Sequence, residues 1–367
     1  MSDGESMAPS RLGDLIALAK EPSSEKRRLL LRELTDQFFG APEQSPVENE
    51  LYGAVLERLA EDMEEAVRAE LSQRFAQSMS GPARLVRRLA LDECASVASP
   101  VLERSRVLDE AVLMEVARTR SQEHLRAVSR REQVSQGVSD LIVQRGDDET
   151  LGTLLGNEGA ELSRGAHEQA VERASANPHL HEAVIARKSM PPDLLNEMYF
   201  VVEARLRQKI LERNAALDPA LLEAALAAGR GKLASEDDSY PPDYEEALLY
   251  VRELHAASQL TPQVLARFLR SNGRTHFLIA LALLADIDFH TARKIVSTTQ
   301  IDALAVVCKA AGLDRALFLT YAVVLLNDTG DAMGHARTYA QLYNELTPET
   351  AHRTLRFWRM RREARAA

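Results

Sequence analysis

The sequence predicts an all-α chain: a helical-repeat solenoid followed by a C-terminal helical domain. Three observations carry that prediction. A segment recurs about every 27 residues between Leu108 and Leu226. Most copies of it open on a helix-capping residue or a proline. Aromatics make up only 5% of 367 residues, Ala and Leu are abundant, and no neighbouring runs show the alternation of β-branched residues that marks strands.

The recurring segments start at Leu108, Val134, Leu162, Met190 and Leu217, spaced 26, 28, 28 and 27 residues apart. A period of this size marks stacked units, each burying its apolar face only against its neighbours. The next residue in each copy is Asp109, Ser135, Ser163, Pro191 or Asp218. Asp and Ser at that place accept from the free N–H groups of a starting helix, and proline suits a first turn. The apolar residue before the cap staples onto a position one turn later: Val112, Val138, Ala166, Leu194 or Leu221. Each copy thus opens an amphipathic helix of about three turns. Upstream lies a second helical stripe, with Val101-Leu102, Leu125-Val128, Leu151-Leu154-Leu155, Val184-Ile185 and Leu206-Ile210-Leu211. One unit is therefore helix, tight turn, capped helix.

In chain order, residues 1–10 are expected to be disordered and 11–82 to form N-terminal helices. Within that span, a helix is read over 15–39, a loop over 40–46 and one long helix over 47–78, ended by Ser80-Gly81-Pro82. Repeats follow over 83–230, with a bend at Ser99-Pro100. Residues 231–243, with Ser235-Glu236-Asp237-Asp238-Ser239 at their centre, predict an acidic linker or loop. Residues 244–367 form the C-terminal helical domain, where Leu260-Thr261-Pro262 and Leu313-Asp314 repeat the capping pattern in looser phase.

Composition bounds the function. The net charge of −10 argues against a surface built to bind nucleic acid wholesale. Cys94 and Cys308 are 214 residues apart, which implies neither a disulfide framework nor a zinc site and suits a reducing compartment. Met1-Ser2-Asp3-Gly4-Glu5-Ser6 has no basic stretch leading into an apolar run, and the apolar stretch over 277–285 is about half a bilayer span. The expectation is a cytoplasmic protein with no transmembrane segment.

Motifs for chemistry fail one by one. Gly231-Lys232 runs into Leu233, and the residue five before Gly231 is Leu226, so no phosphate loop forms. His167-Glu168 and His181-Glu182 begin like a zinc-protease helix, but Val171 and Ile185 stand where the second imidazole belongs. No nucleophile elbow is present, and neither cysteine has a flanking signature. No catalytic residue, metal site or cofactor is expected, and the chain is not read as an enzyme.

Two basic features remain as candidate binding residues. Four residues before the start of a segment stand Arg104, Arg130 and Arg213; Glu158 and Ala186 break that row, with Arg131 and Arg187 one residue later in their units. Such cations either complement the negative end of a helix or form an arginine ladder able to grip an acidic peptide or phosphates. The second feature is Arg356, Trp358 and Arg359, within a tail that holds the only tryptophan among arginines. It is either a binding hot spot or a terminal helix docked on its neighbour.

Several stretches carry a resemblance. Leu89-Ala90-Leu91-Asp92, then Val97-Ala98-Ser99-Pro100-Val101-Leu102-Glu103-Arg104-Ser105 running into Val107-Leu108, resemble an uncharacterised bacterial domain of unknown function built from HEAT-like or leucine-rich-variant-like helical repeats. Leu260-Thr261-Pro262 and Ala310-Ala311-Gly312-Leu313 look similar, and the resemblance runs over residues 11–326. It implies a HEAT-like solenoid and assigns no activity or catalytic residue. The expected function is a protein–protein interaction module, an adaptor or scaffold for a partner that is acidic in charge. Alternatives are a nucleic-acid-binding helical-repeat protein and a small-ligand sensor.

Overall fold

The computed structural model describes residues 24–40, 46–60, 63–78, 81–229, 240–271, 273–297, 300–326 and 335–366. The stretch 1–10 and most of the acidic stretch, 230–239, lie outside the described residues. Among those described are twenty-two α-helices, two single 3₁₀ turns and no strand, only an isolated bridge between Val134 and Ala160. The chain is all-α and helical-repeat in character.

It divides into two compact units, residues 1–189 and 190–367. The first holds α1 (Ser24–Gly40), α2 (Pro46–Ala60), α3 (Glu65–Ala76), α4 (Ala83–Ala90), α5 (Ala95–Arg104), α6 (Glu110–Thr119), α7 (Gln122–Ser129), α8 (Gln136–Arg145), α9 (Asp148–Gly156), α10 (Arg164–Ala176) and α11 (His181–Ala186). From α2 onward each helix packs on the helix two places along. The helices α3, α5, α7, α9 and α11 stack as one layer, and α2, α4, α6, α8 and α10 as the other. Between the layers lie the apolar stripes read from the sequence: Val101 and Leu102, Leu125 and Val128, Leu151 and Leu154 are fully buried.

The caps form as their residue types require. Asp109 accepts from the Val112 N–H at 2.9 Å and Ser163 from the Ala166 N–H at 3.1 Å. Ser135 departs from the pattern, because its hydroxyl donates to Glu110 and makes no cap bond. The helix expected over 47–78 is two helices, α2 and α3. The sequence there places Glu61, Asp62, Glu64 and Glu65 in one cluster, and like charges a turn apart oppose a continuous helix. Broken here, the chain gives α3 an acidic first turn, which its dipole favours. Pro100 makes no bend; it stands inside α5, where full burial of Val97, Ala98, Val101 and Leu102 outweighs the lost hydrogen bond.

The second unit holds α12 (Pro192–Glu197), α13 (Ala204–Ala216), α14 (Pro219–Gly229), α15 (Tyr244–Ala256), α16 (Pro262–Arg270), α17 (Arg274–Ala285), α18 (Phe289–Ser297), α19 (Ile301–Ala310), α20 (Arg315–Leu326), α21 (Ala336–Glu345) and α22 (Pro348–Ala366). The helices opened by Met190 and Leu217 therefore belong here. The reason is α22, which packs on α12, α13, α14 and α19 together. A buried polar seam joins them: Asn196 and Asn214 exchange amide hydrogen bonds at 3.0 Å, and Asn214 donates to the Thr354 hydroxyl at 3.0 Å. No single helix among the described residues is long and apolar enough to cross a membrane.

Candidate functional site

The arginine row separates into two classes when its side chains are placed. Arg131 and Arg187 reach back one repeat and close the C-terminal end of the preceding helix in their layer. Arg131 donates to the carbonyls of Leu102 and, at 2.7 Å, Ser105, at the end of α5. Arg187, 1% exposed, donates to the carbonyls of Leu155 at 3.1 Å, Asn157 at 3.0 Å and Ala160, at the end of α9. Burial lowers the affinity of both guanidiniums for their proton, yet arginine stays charged under any folding condition. Between them Asn157 does the same for α7, donating to the carbonyls of Ser129 at 2.8 Å and Arg131 at 2.7 Å. These side chains satisfy helix-end carbonyls that water does not reach.

The sequence reading missed a matching pair in the other layer. Arg145 donates to the carbonyl of Ala117 at the end of α6. Arg173 closes α8 through Gly146 at 2.9 Å and Val143 at 3.2 Å, and also holds Asp148. The signal was present: both arginines sit in the last turn of a helix opened by the recurring segment, one repeat apart.

Arg104 and Arg130 belong to the second class. Arg104 ends α5 with its side chain 58% exposed, and among the described residues only its neighbour Glu103 approaches, at 4.0 Å. Arg130 caps α7 and is exposed; among the described residues its guanidinium has no hydrogen-bond or ion-pair partner. Both line an open groove of about 1000 Å³, with Arg106, Arg131, Glu103 and Glu132 as the other charged residues. Arg106 and Glu132 form a solvent-exposed pair at 3.2 Å, a geometry that holds little energy. Four guanidinium groups against two carboxylates leave the groove positive, in a chain whose net charge is −10. Gln77, Ser78 and Gln133 complete its lining.

The other expected binding residues fall elsewhere. Arg213 lies in the last turn of α13 and donates to the Met190 carbonyl at 3.4 Å. Trp358 is 2% exposed and sits 5.1 Å from the rings of both Tyr199 and Phe200, so it has no surface to offer a partner. Arg359 donates to the Ala285 carbonyl at 2.9 Å and lies 3.5 Å from Asp286, closing α17. Arg356 is half-buried on the same helix. Trp358 and Arg359 thus fasten α22.

No group of three or more metal-ligating side chains gathers among the described residues. His181 Nε2 meets the Ala174 carbonyl at 3.0 Å, and His167 lies between the Ser163 carbonyl at 2.9 Å and the Ser189 hydroxyl at 3.4 Å. Burial drives the Cys308 thiol far above its ordinary range, and burial also raises Cys94. Neither thiol has the lowered pKa of a nucleophile.

The model of a family described as an uncharacterised protein conserved in bacteria (DUF2336) matches residues 97–356, well over half of the chain. The match opens at Val97, where the most specific part of the resemblance begins. It extends past residue 326 as far as Arg356. No curated protein and no solved structure matches the chain.

Proposed function

The chain belongs to this uncharacterised bacterial family, and we propose that it is a protein-binding module, an adaptor or scaffold whose first unit receives an acidic partner. One observation carries the reading. In a layer where Arg131, Asn157 and Arg187 are committed to backbone carbonyls, Arg104 and Arg130 stand exposed at the rim of an open, positively charged groove. Side chains that contribute to folding are recognisable here by their buried bonds, and these two have none. The planar guanidinium matches a carboxylate with two parallel hydrogen bonds, which offsets the side-chain freedom lost on binding.

The test is affinity capture by the full-length chain, with and without nuclease, using the wild type and the double variant Arg104→Ala, Arg130→Ala. The expected result is a protein retained by the wild type whatever the nuclease treatment, and released by the double variant while the melting temperature holds. Retention by the double variant, or recovery abolished by nuclease, overturns the reading.

A further inference from the structure

The groove lies where the row of capping side chains stops. Arg187 and Asn157 are themselves the C-cap residues of α11 and α9, with extended backbones at φ −61°, ψ 120° and φ −90°, ψ 103°. The residue in that position at the end of α5 is Ser105, with φ −68° and ψ 127°. It stands 26 residues before Arg131, the period of the repeat. Ser105 is fully buried, and its hydroxyl accepts from the Val107 N–H at 3.3 Å. So short a side chain does not extend over the end of α3, one helix back in the layer. Gln77 and Ser78, at that end, therefore line the groove.

This gives the groove two kinds of partner-seeking group. Arg104 and Arg130 are donors. The carboxylates of Glu103 and Glu132, the amide oxygens of Gln77 and Gln133 and the negative end of α3 are acceptors or repel anions. A phosphate group or a nucleic-acid backbone offers acceptors and negative charge only, and would meet the two carboxylates and the helix end unfavourably. An extended peptide offers both: side-chain carboxylates for the guanidiniums and main-chain N–H groups for the oxygens.

We infer that the groove seats an extended, acidic segment of a protein partner, with two of its carboxylates on Arg104 and Arg130 and its main-chain N–H groups toward Gln77, Glu103 and Glu132. This rests on the protein-binding reading above and names the chemistry of the same site.

The test is fluorescence anisotropy of the full-length chain with a fluorescein-labelled octa-glutamate peptide at low salt. Three comparisons decide it: the double variant Arg104→Ala, Arg130→Ala; a peptide N-methylated along its main chain; and competition by tripolyphosphate or a short single-stranded oligodeoxynucleotide. The expected results are binding of the plain peptide, about tenfold weaker binding for the double variant and for the N-methylated peptide, and poor competition by either phosphate compound. If the N-methylated peptide binds as well as the plain one, or a phosphate compound competes on equal terms, the peptide inference fails while an anion-receiving groove stands. Should the plain peptide not bind, or bind the double variant equally, both the inference and the reading beneath it fail.

Discussion

Arg187 and Arg104 stand one residue apart in repeat register, and the structure gives them opposite work. Arg187 satisfies the carbonyls closing α9 from a fully buried position. Its replacement by alanine strands those carbonyls and is expected to cost about 3 kcal/mol, since buried hydrogen bonds to a charged group are the expensive ones to lose. Arg104→Ala is expected to change stability by no more than about 0.5 kcal/mol. Urea titration of the two single variants checks the contrast, and equal losses would show that Arg104 is structural too. His167 supplies a pH dependence: burial holds its imidazole below its ordinary range. Above about pH 6.5 the side chain is neutral whether folded or not. As the pH falls through that value the unfolded chain takes up the proton first, so the stability contributed by burying a neutral ring is lost. Stability measured across that interval should decline toward acid, and His167→Asn should remove that part of the slope. A slope unchanged in the variant contradicts the assignment.

At the scale of elements, the capped helices were legible because capping is a local property, written in the residues that perform it. Asp109→Ala and Ser163→Ala are expected to cost about 1 kcal/mol each. Ser135→Ala should cost less, since its hydroxyl bonds to Glu110 and caps nothing; thermal melts of the three variants rank them. Gly159 is a second local requirement. A Cβ there would lie 2.0 Å from the Glu132 carbonyl oxygen, beside the bridge that joins Val134 to Ala160. Gly159→Ala should therefore destabilise the first unit more than any of the cap removals. What could not be read is where packing decides. The break between α2 and α3 follows from a cluster of acids that an apolar stripe runs straight through. Pro100 stays helical only because both sides of α5 are covered. The start of the layered array at α2 was hidden because Pro82, the N-cap of α4, makes no side-chain cap bond of the kind that marks the later units.

At the scale of the molecule, the all-α repeat architecture was legible from period and composition, and the site only in part. Spacing alone put Arg104, Arg130, Arg131, Arg187 and Arg213 in one row. Within the first unit a single residue of register separates Arg131 and Arg187, which reach back to carbonyls, from Arg104 and Arg130, which line the groove; Arg213, in the register of the latter two, reaches the Met190 carbonyl in the second unit. The tail misled for a related reason: Arg356, Trp358 and Arg359 have the composition of a contact surface, yet α22 is the helix that the second unit is built around. Trp358 is the only tryptophan, so it reports on that unit alone. Its emission should be that of a buried indole in the native chain and shift to the red as the second unit unfolds. The central claim is that a protein partner lies in the groove between Arg104 and Arg130. The most direct measurement places a photo-crosslinking amino acid at Gln133, which lines the groove, and at the exposed Glu172 on α10 as a control, in bacterial cells carrying the full-length protein. The account predicts a discrete protein adduct from Gln133, absent from Glu172 and lost with Arg104→Ala and Arg130→Ala together. Adducts from Glu172 alone, or a Gln133 adduct indifferent to the two arginines, would contradict it.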